Sequence, residues 1–290
     1  MPTIEKIKIL REKTGAGMMD CKRALIETNG DLDAAVDYLR EKGLSKAASK
    51  QSRIAAEGLT NAVVDANVAY LYEVNSETDF VAKNDTFITL VENIGKSLLA
   101  STVTNSEEAL LLECDGETVE KQLSNQTARI GEKITLRRVQ RFEKKDDEVF
   151  GLYIHQAGRM STITILAGGD EEMAKNVAMH VTASKPTFID RESVDPQVVE
   201  HEKEVLTNQA LNEGKPAKIV EKMVEGRIVK FFEEICLTEQ AYIKDPDLKV
   251  KDYLKKENAK VLVFGRLEVG EGIEKRQEDF AAEVEAQLKK

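Results

Sequence analysis

The chain has no tryptophan, three histidines, three cysteines and five prolines, and aromatic residues fill only 5% of its 290 positions. So few rings argue against a ligand cage built from large aromatics. The cysteines, Cys21, Cys114 and Cys236, are odd in number and lack metal-ligand spacing, which excludes both a closed disulfide framework and a zinc site. Free thiols fit a reducing compartment. His155, His180 and His201 are too few for a histidine-rich metal centre. No run of about 18 apolar residues occurs, so no membrane span is expected. The opening Met-Pro-Thr-Ile-Glu-Lys lacks the apolar stretch of a signal peptide. Together these features predict a cytoplasmic protein with no membrane partner.

Enzyme signatures are missing too. No G-x-G-x-x-G opens a helix after a strand, and no G-x-x-x-x-G-K-[ST] loop is present to cradle a phosphate. His201-Glu202 lacks the second histidine of H-E-x-x-H, and there is no G-x-S-x-G elbow. Cys21 sits beside Lys22 without a local histidine, and its helical phase suits a packed thiol. No catalytic residue, cofactor or metal is therefore expected. Acidic residues outnumber basic ones by 52 to 42, for a net charge of -10, which argues against a general phosphate-backbone binder. Direct nucleic-acid binding is not expected.

What is present is a foldable mixture, 41% hydrophobic and 32% charged. Ile4, Ile7, Leu10 and Arg11 mark a first short helix. Gly15 and Gly17 break it, and Met18, Cys21, Ala24 and Leu25 begin a second. Asn29-Gly30 suits a left-handed helix end, and Asp31 can cap a third helix. That helix carries Leu32, Ala35, Val36 and Leu39, and Gly43 is expected to stop it. Residues 44–57 read as a basic linker or short helix. From Gly58 the period changes. Ala62, Val64, Val68, Tyr70, Tyr72 and Val74 alternate as a strand pair turning at Asp65-Ala66-Asn67. Phe87, Leu90, Val91, Ile94 and Leu98 form a helical stripe. A helical piece near Glu107–Leu112 follows, then a helix over Val119–Ile130 ending near Gly131. Ile134, Leu136 and Val139 mark a further strand.

The same order then recurs. Tyr153, His155, Met160, Thr162, Ile163 and Ile165 predict a second strand pair with Gly158 in its turn. Met173, Val177, Ala178 and Val181 predict the helix after it. Val250, Leu254, Ala259 and Val261 match Val119, Leu123, Ala128 and Ile130 at a constant offset, and Leu267 and Val269 resemble the closing strand. The body is thus predicted to be a duplicated α+β module. Into the second copy is inserted a helix over Val194–Asn212, with Val198, Val205 and Ala210 as one stripe and Val199 and Leu206 beside it. A turn over 212–216 puts Pro216 at the first position of a return helix, Ala217–Glu234. So short a connection forces an antiparallel hairpin, and its charged outer faces suggest that it projects.

Two segments stand out chemically. In Asn75-Ser76-Glu77-Thr78-Asp79-Phe80-Val81-Ala82-Lys83-Asn84 a carboxylate adjoins a phenylalanine just after an apolar strand. Either Phe80 packs back on its own core and Asp79 caps the next helix, or both face outward. In the second case Phe80 is a wedge for a partner's apolar pocket, with Asp79 engaging polar groups beside it. In Thr14-Gly15-Ala16-Gly17-Met18-Met19, Met18 is the better candidate for the small core and Met19 for the surface. Both can be core, or the pair can form a docking patch.

At these residues the chain resembles a known family. Thr14 to Leu25, TGAGMMDCKRAL, is similar to the amino-terminal signature of bacterial translation elongation factor Ts, and Glu77 to Asn84, ETDFVAKN, is similar to its second signature. Ala178-Met179-His180-Val181 with Ser184-Lys185-Pro186, Lys222 to Arg227, and Val269 to Lys275 resemble further stretches in the same order. The resemblance implies an α+β fold: an amino-terminal three-helix domain of the ubiquitin-associated type, a core of two related subdomains with antiparallel strands, an inserted helical (coiled-coil) hairpin and a carboxy-terminal helical module. The corresponding division is 1–43, a linker at 44–57, 58–143 for the first core subdomain, 144–193 with 235–271 for the second, 194–234 for the hairpin, and 272–290 for the last module.

The implied function is guanine nucleotide exchange on elongation factor Tu, GDP-bound and nucleotide-free, during translation elongation. By resemblance, Thr78, Asp79, Phe80 and Val81 match the segment that intrudes near the partner's magnesium site. Phe80 is the apolar wedge, and Asp79 perturbs the hydrogen bonds of the magnesium-side residues. Met18 and Met19 would dock on the nucleotide-binding domain, and the helix Gly272 to Leu288 would rest there too. His155 matches a histidine that meets the partner's third domain, or is a satisfied strand residue. Two other functions compete: a non-exchanging adaptor that binds a helical or ubiquitin-like partner through its amino-terminal domain, and an unrecognised hydrolase, for which no ordered nucleophile and base are in view.

Overall fold

The computed structural model describes residues 3–14, 16–48, 50, 52–214 and 216–274. The carboxy-terminal helix expected over Gly272 to Leu288 lies almost wholly outside the described residues. Among those described, no helix is long and apolar enough to cross a membrane.

The amino-terminal module is three helices, α1 (Ile4–Thr14), α2 (Met18–Glu27) and α3 (Leu32–Ala48). They close on Ile7, Leu10, Cys21, Ala24, Leu25 and Ala35. Ile4 leaves the expected stripe and stays exposed. α2 ends where Asn29 and Gly30 take φ values of 54° and 81°, and the Gly30 N–H donates to the Leu25 carbonyl at 2.7 Å. Asp31 then caps α3 by accepting from the Asp33 and Ala34 N–H groups at 2.9 and 3.0 Å. Gly43 does not stop this helix, contrary to expectation, and α3 runs on to Ala48. A Cβ at Gly43 would lie 3.2 Å from the Ala128 methyl. The glycine lets α3 lie close against a core helix, and packing overrides its low helix propensity.

The core opens with the hairpin β1 (Glu57–Asp65) and β2 (Val68–Ser76), turning at Ala66 and Asn67, with Ala66 at φ 47°. One helical turn, α4 (Asp79–Ala82), leads to α5 (Asp85–Leu99) and α6 (Ser106–Ala109). A small ladder of β3 (Glu113–Cys114) and β4 (Glu117–Thr118) precedes α7 (Val119–Ile130), which ends at Gly131 with φ 92°. β5 (Thr135–Glu143) completes an antiparallel sheet in the order β1-β2-β5. Glu73 pairs with Arg138 while Val74 pairs with Leu136, so Arg137 is an extra residue in β5. That bulge allows both Leu136 and Val139 to be buried despite their odd spacing.

The second half follows the same path. β6 (Glu148–His155) and β7 (Met160–Ala167) form a hairpin, α8 (Glu171–Ser184) follows, and β10 (Lys260–Glu268) returns beside β7, giving the order β6-β7-β10. Between α8 and β10 come α9 (Pro196–Asn212), α10 (Ala217–Ile235), the short ladder β8 (Ala241–Tyr242) with β9 (Asp245–Lys249), and α11 (Val250–Lys255). Val250 and Leu254 are buried on α11 as Val119 and Leu123 are on α7. The offset match then fails, because α11 ends at Lys255 and Val261 lies on a strand. In the α9–α10 hairpin the buried seam is Leu206 and Ala210 against Val220 and Ile228, whereas Val198 is exposed. Pro216 precedes α10 as its cap, and Pro196 takes the first position of α9.

The two sheets pack face to face. Ala62, Ala69 and Leu71 from the first meet Phe150, Ile163, Ile165 and Leu267 from the second. Each outer face is covered by helices. Tyr70, Tyr72 and Val74 meet Phe87, Leu90, Ile94 and Leu123, and Leu166 meets Val177, Val181, Val250 and Leu254. Helix, sheet, sheet and helix layers result, and β2 is buried on both faces along nearly its whole length.

Candidate functional site

The segment that leaves β2 is shaped by its own polar groups. Ser76 donates its hydroxyl to the Thr78 carbonyl at 2.9 Å. Thr78 caps α4, its Oγ1 accepting from the Val81 N–H at 3.4 Å. Both of its donors reach one carboxylate: the Thr78 N–H meets Glu132 Oε2 at 2.9 Å and the hydroxyl meets Oε1 at 2.7 Å. Lys83 closes the turn, and Asn84 caps α5 by accepting from the Thr86 N–H at 2.9 Å.

A single helical turn sorts neighbouring side chains by about 100° per residue. Val81 and Ala82 are therefore buried in the first core, while Phe80 points to solvent with 81% exposure, the highest of any large hydrophobic among the described residues. Packing of Phe80 onto its own core is excluded. Asp79 is not a cap either, since Thr78 and Asn84 hold those places. It occupies the first position of the turn, where its carboxylate accepts from Lys83 Nζ at 2.6 Å. That bond holds the Asp79 carboxyl below its ordinary range, with Arg159 adding a smaller electrostatic pull.

The other expected contact residues come from different units. Met18 and Met19 open α2, and both are exposed, at 53% and 64%. Met18 is thus not a core residue. Cys21, Ala24 and Leu25 fill the interior, where burial pushes the Cys21 thiol pKa up. His155 ends β6, half-buried, with Nδ1 3.1 Å from the Tyr153 hydroxyl and the two rings stacked. The turn after it holds Gln156 and Ala157 at φ values of 47° and 52°. Arg159, which leaves this turn, pairs with Glu57 at the start of β1. These places do not form a reaction centre. Among the described residues no group of three or more His, Cys, Asp or Glu could hold a metal ion.

Sequence reasoning missed Glu132, and with it Glu77 and Arg53. Glu77 accepts the Lys133 backbone N–H at 2.6 Å and pairs with Arg53 at 3.2 Å. Gly131 predicts that the chain turns there, but nothing in the sequence links Glu132 to a threonine so far upstream.

A family model described as Elongation factor TS matches residues 77–271. The chain belongs to that family. It is accordingly a non-catalytic guanine nucleotide exchange factor, and its partner is elongation factor Tu. Thr78–Val81 and His155 lie inside the matched segment, and Met18 and Met19 lie before it.

Proposed function

We propose that this chain accelerates GDP release from elongation factor Tu by using Phe80 as an apolar wedge beside the partner's magnesium site. Asp79 competes for the hydrogen bonds that position the magnesium-side residues, and Thr78 and Val81 frame the pair. Met18 and Met19 dock on the nucleotide-binding domain, and His155 contacts the third domain. The units that carry these contacts are the first helical module (1–43, joined by 44–57), two core subdomains (58–143; 144–193 with 235–271), the hairpin (194–234) and the last module (272–290). The work is done in the cytoplasm, where the partner serves translation.

No reacting group is needed. GDP and magnesium are held by a network of charge-assisted bonds. A protein that binds the nucleotide-free or magnesium-displaced state better must raise the population of that state, and by reciprocity nucleotide must weaken its own binding. A coupling of about 4 kcal/mol corresponds to roughly a thousandfold change in affinity.

The exposure of Phe80 carries this reading. An aromatic ring standing in water next to two buried neighbours contributes little to its own fold and much to an interface that covers it. Phe80→Ala is expected to cut stimulated release of a fluorescent GDP analogue by roughly tenfold or more. Its unfolding free energy should stay within about 0.5 kcal/mol of the parent, as for other surface changes. If release is unimpaired, or if its loss tracks unfolding of the variant, the wedge is wrong.

A further inference from the structure

We infer that Glu132 is a positioning residue for exchange, setting the direction in which Phe80 projects; the inference rests on the wedge reading above. The bonds of Glu132 go to neither Phe80 nor Asp79. It acts through Thr78, whose N–H and hydroxyl both donate to its carboxylate, at 2.9 and 2.7 Å.

The chemistry explains why a carboxylate is needed. An ionised carboxylate only accepts, so it draws the Thr78 hydroxyl proton toward itself. The oxygen lone pairs of Thr78 are then free for the Val81 N–H, at 3.4 Å, which is the capping contact of α4. One side chain thereby orients the cap of the turn that carries Phe80. That turn is only four residues long, and a single turn does not hold its shape alone, because nucleation costs more than one bond returns. Downstream it is pinned by the buried Val81 and Ala82. Upstream the Glu132 carboxylate pins it.

The attachment is reciprocal. Glu132 takes the N–H of Thr78, and Glu77 takes the N–H of Lys133 at 2.6 Å. Two adjacent residues after β2 exchange carboxylate and amide with two adjacent residues before β5. Glu132 follows Gly131, whose φ of 92° turns the chain out of α7. The end of α7 is thus fastened to the start of the wedge, while Phe80 itself remains free.

The test uses the full chain and stopped-flow release of a fluorescent GDP analogue from elongation factor Tu, with Glu132→Ala, Glu132→Gln, Phe80→Ala and the Glu132→Ala/Phe80→Ala double variant. Glu132→Ala is expected to lower the saturating release rate roughly tenfold and to change the half-saturating concentration much less, because contacts elsewhere are intact. Glutamine keeps one acceptor oxygen but turns an NH2 toward the second donor, so it should restore part of the rate. The double variant should be no slower than Phe80→Ala alone, since Glu132 works through Phe80. Amide hydrogen exchange at Thr78 and Val81 should quicken in Glu132→Ala while the sheets stay protected. Unchanged exchange at those two amides overturns the clamp, whatever the release rates are. A double variant whose loss is the product of the single losses overturns positioning through Phe80. Full release by Phe80→Ala alone overturns the wedge instead, and the amide measurement then still reports on the clamp.

Discussion

Individual side chains show how burial decides chemistry in this protein. His180 is fully buried, its Nε2 2.9 Å from Gln240 Oε1 and its Nδ1 accepting from the Ile243 N–H at 3.3 Å. Burial lowers its pKa despite the Gln240 bond, which fits a neutral, structural imidazole. Two carboxylates sit at the opposite extreme. Burial raises the Glu239 pKa, but bonds from Lys251, Lys249 and Arg191 outweigh it and bring it to about 2. Bonds from Lys185 and Arg266 bring Glu268 to about 2 as well. Both folded-state values lie below the ordinary 4.5. Their stabilising contribution is therefore complete above that value and is lost as pH falls from there toward 2. Urea titrations should give a midpoint that drops steadily between about pH 5 and about pH 3, and Glu239→Gln should make that drop shallower. An unchanged slope in the variant would mean that Glu239 is not held this way. None of these three environments was fully legible locally, since each needs a partner from a remote segment: Gln240 for His180, Arg191 for Glu239 and Lys185 for Glu268.

Elements were more legible than side-chain partners. The stripe Phe87, Leu90, Val91, Ile94 and Leu98 is the buried face of α5, and α7 spans the predicted Val119–Ile130. These are periodic segments with caps at their ends, so local pattern and packing agree. The disagreements have packing causes. α3 passes Gly43 because the absent side chain makes room for α7. A second close approach is stronger still. A Cβ built at Gly151 on β6 would come within 2.1 Å of the Ala174 carbonyl oxygen on α8. Gly151→Ala must push α8 off its sheet, and a loss of about 3 kcal/mol is expected in chemical denaturation. A variant as stable as the parent would show that α8 sits farther from β6.

At the scale of the whole molecule, the two halves are joined by apolar packing, by the Thr60 hydroxyl on Ser161 and Gly158, by the Arg159–Glu57 pair, and by a buried charge. Glu73 has no exposed surface, yet Arg138 Nε lies 2.5 Å and Arg137 Nη1 3.1 Å from its Oε2. Its other oxygen accepts from the Gly270 N–H at 2.8 Å, and Arg138 continues to the Glu268 carbonyl at 2.7 Å. A carboxylate on the first sheet thus ties down the chain where it leaves the second. Glu73→Gln leaves two guanidiniums short of their counter-charge and should cost about 3 kcal/mol, with the unfolding transition broadening as the halves uncouple. A sharp transition at the parent's midpoint would show that the halves hold together without this charge. For the proposed exchange mechanism this link matters, because the proposed wedge on the first half and the proposed contact residue on the second can act together only if the halves do not slide.

By itself the sequence determined the class of elements, the duplicated order of hairpin, helix and closing strand, the inserted helical hairpin and the family resemblance. All of these follow from periodicity, turn residues and short motifs, which are properties of neighbours along the chain. Only the tertiary structure decided that Phe80 and Met18 face solvent, that α3 continues past Gly43, that the two sheets meet face to face, and that Glu132 holds Thr78. Each of those depends on which groups from remote segments occupy a given volume or offer a given donor. Burial and hydrogen-bond satisfaction are set by the surroundings of a residue in space, and a linear pattern carries no record of them.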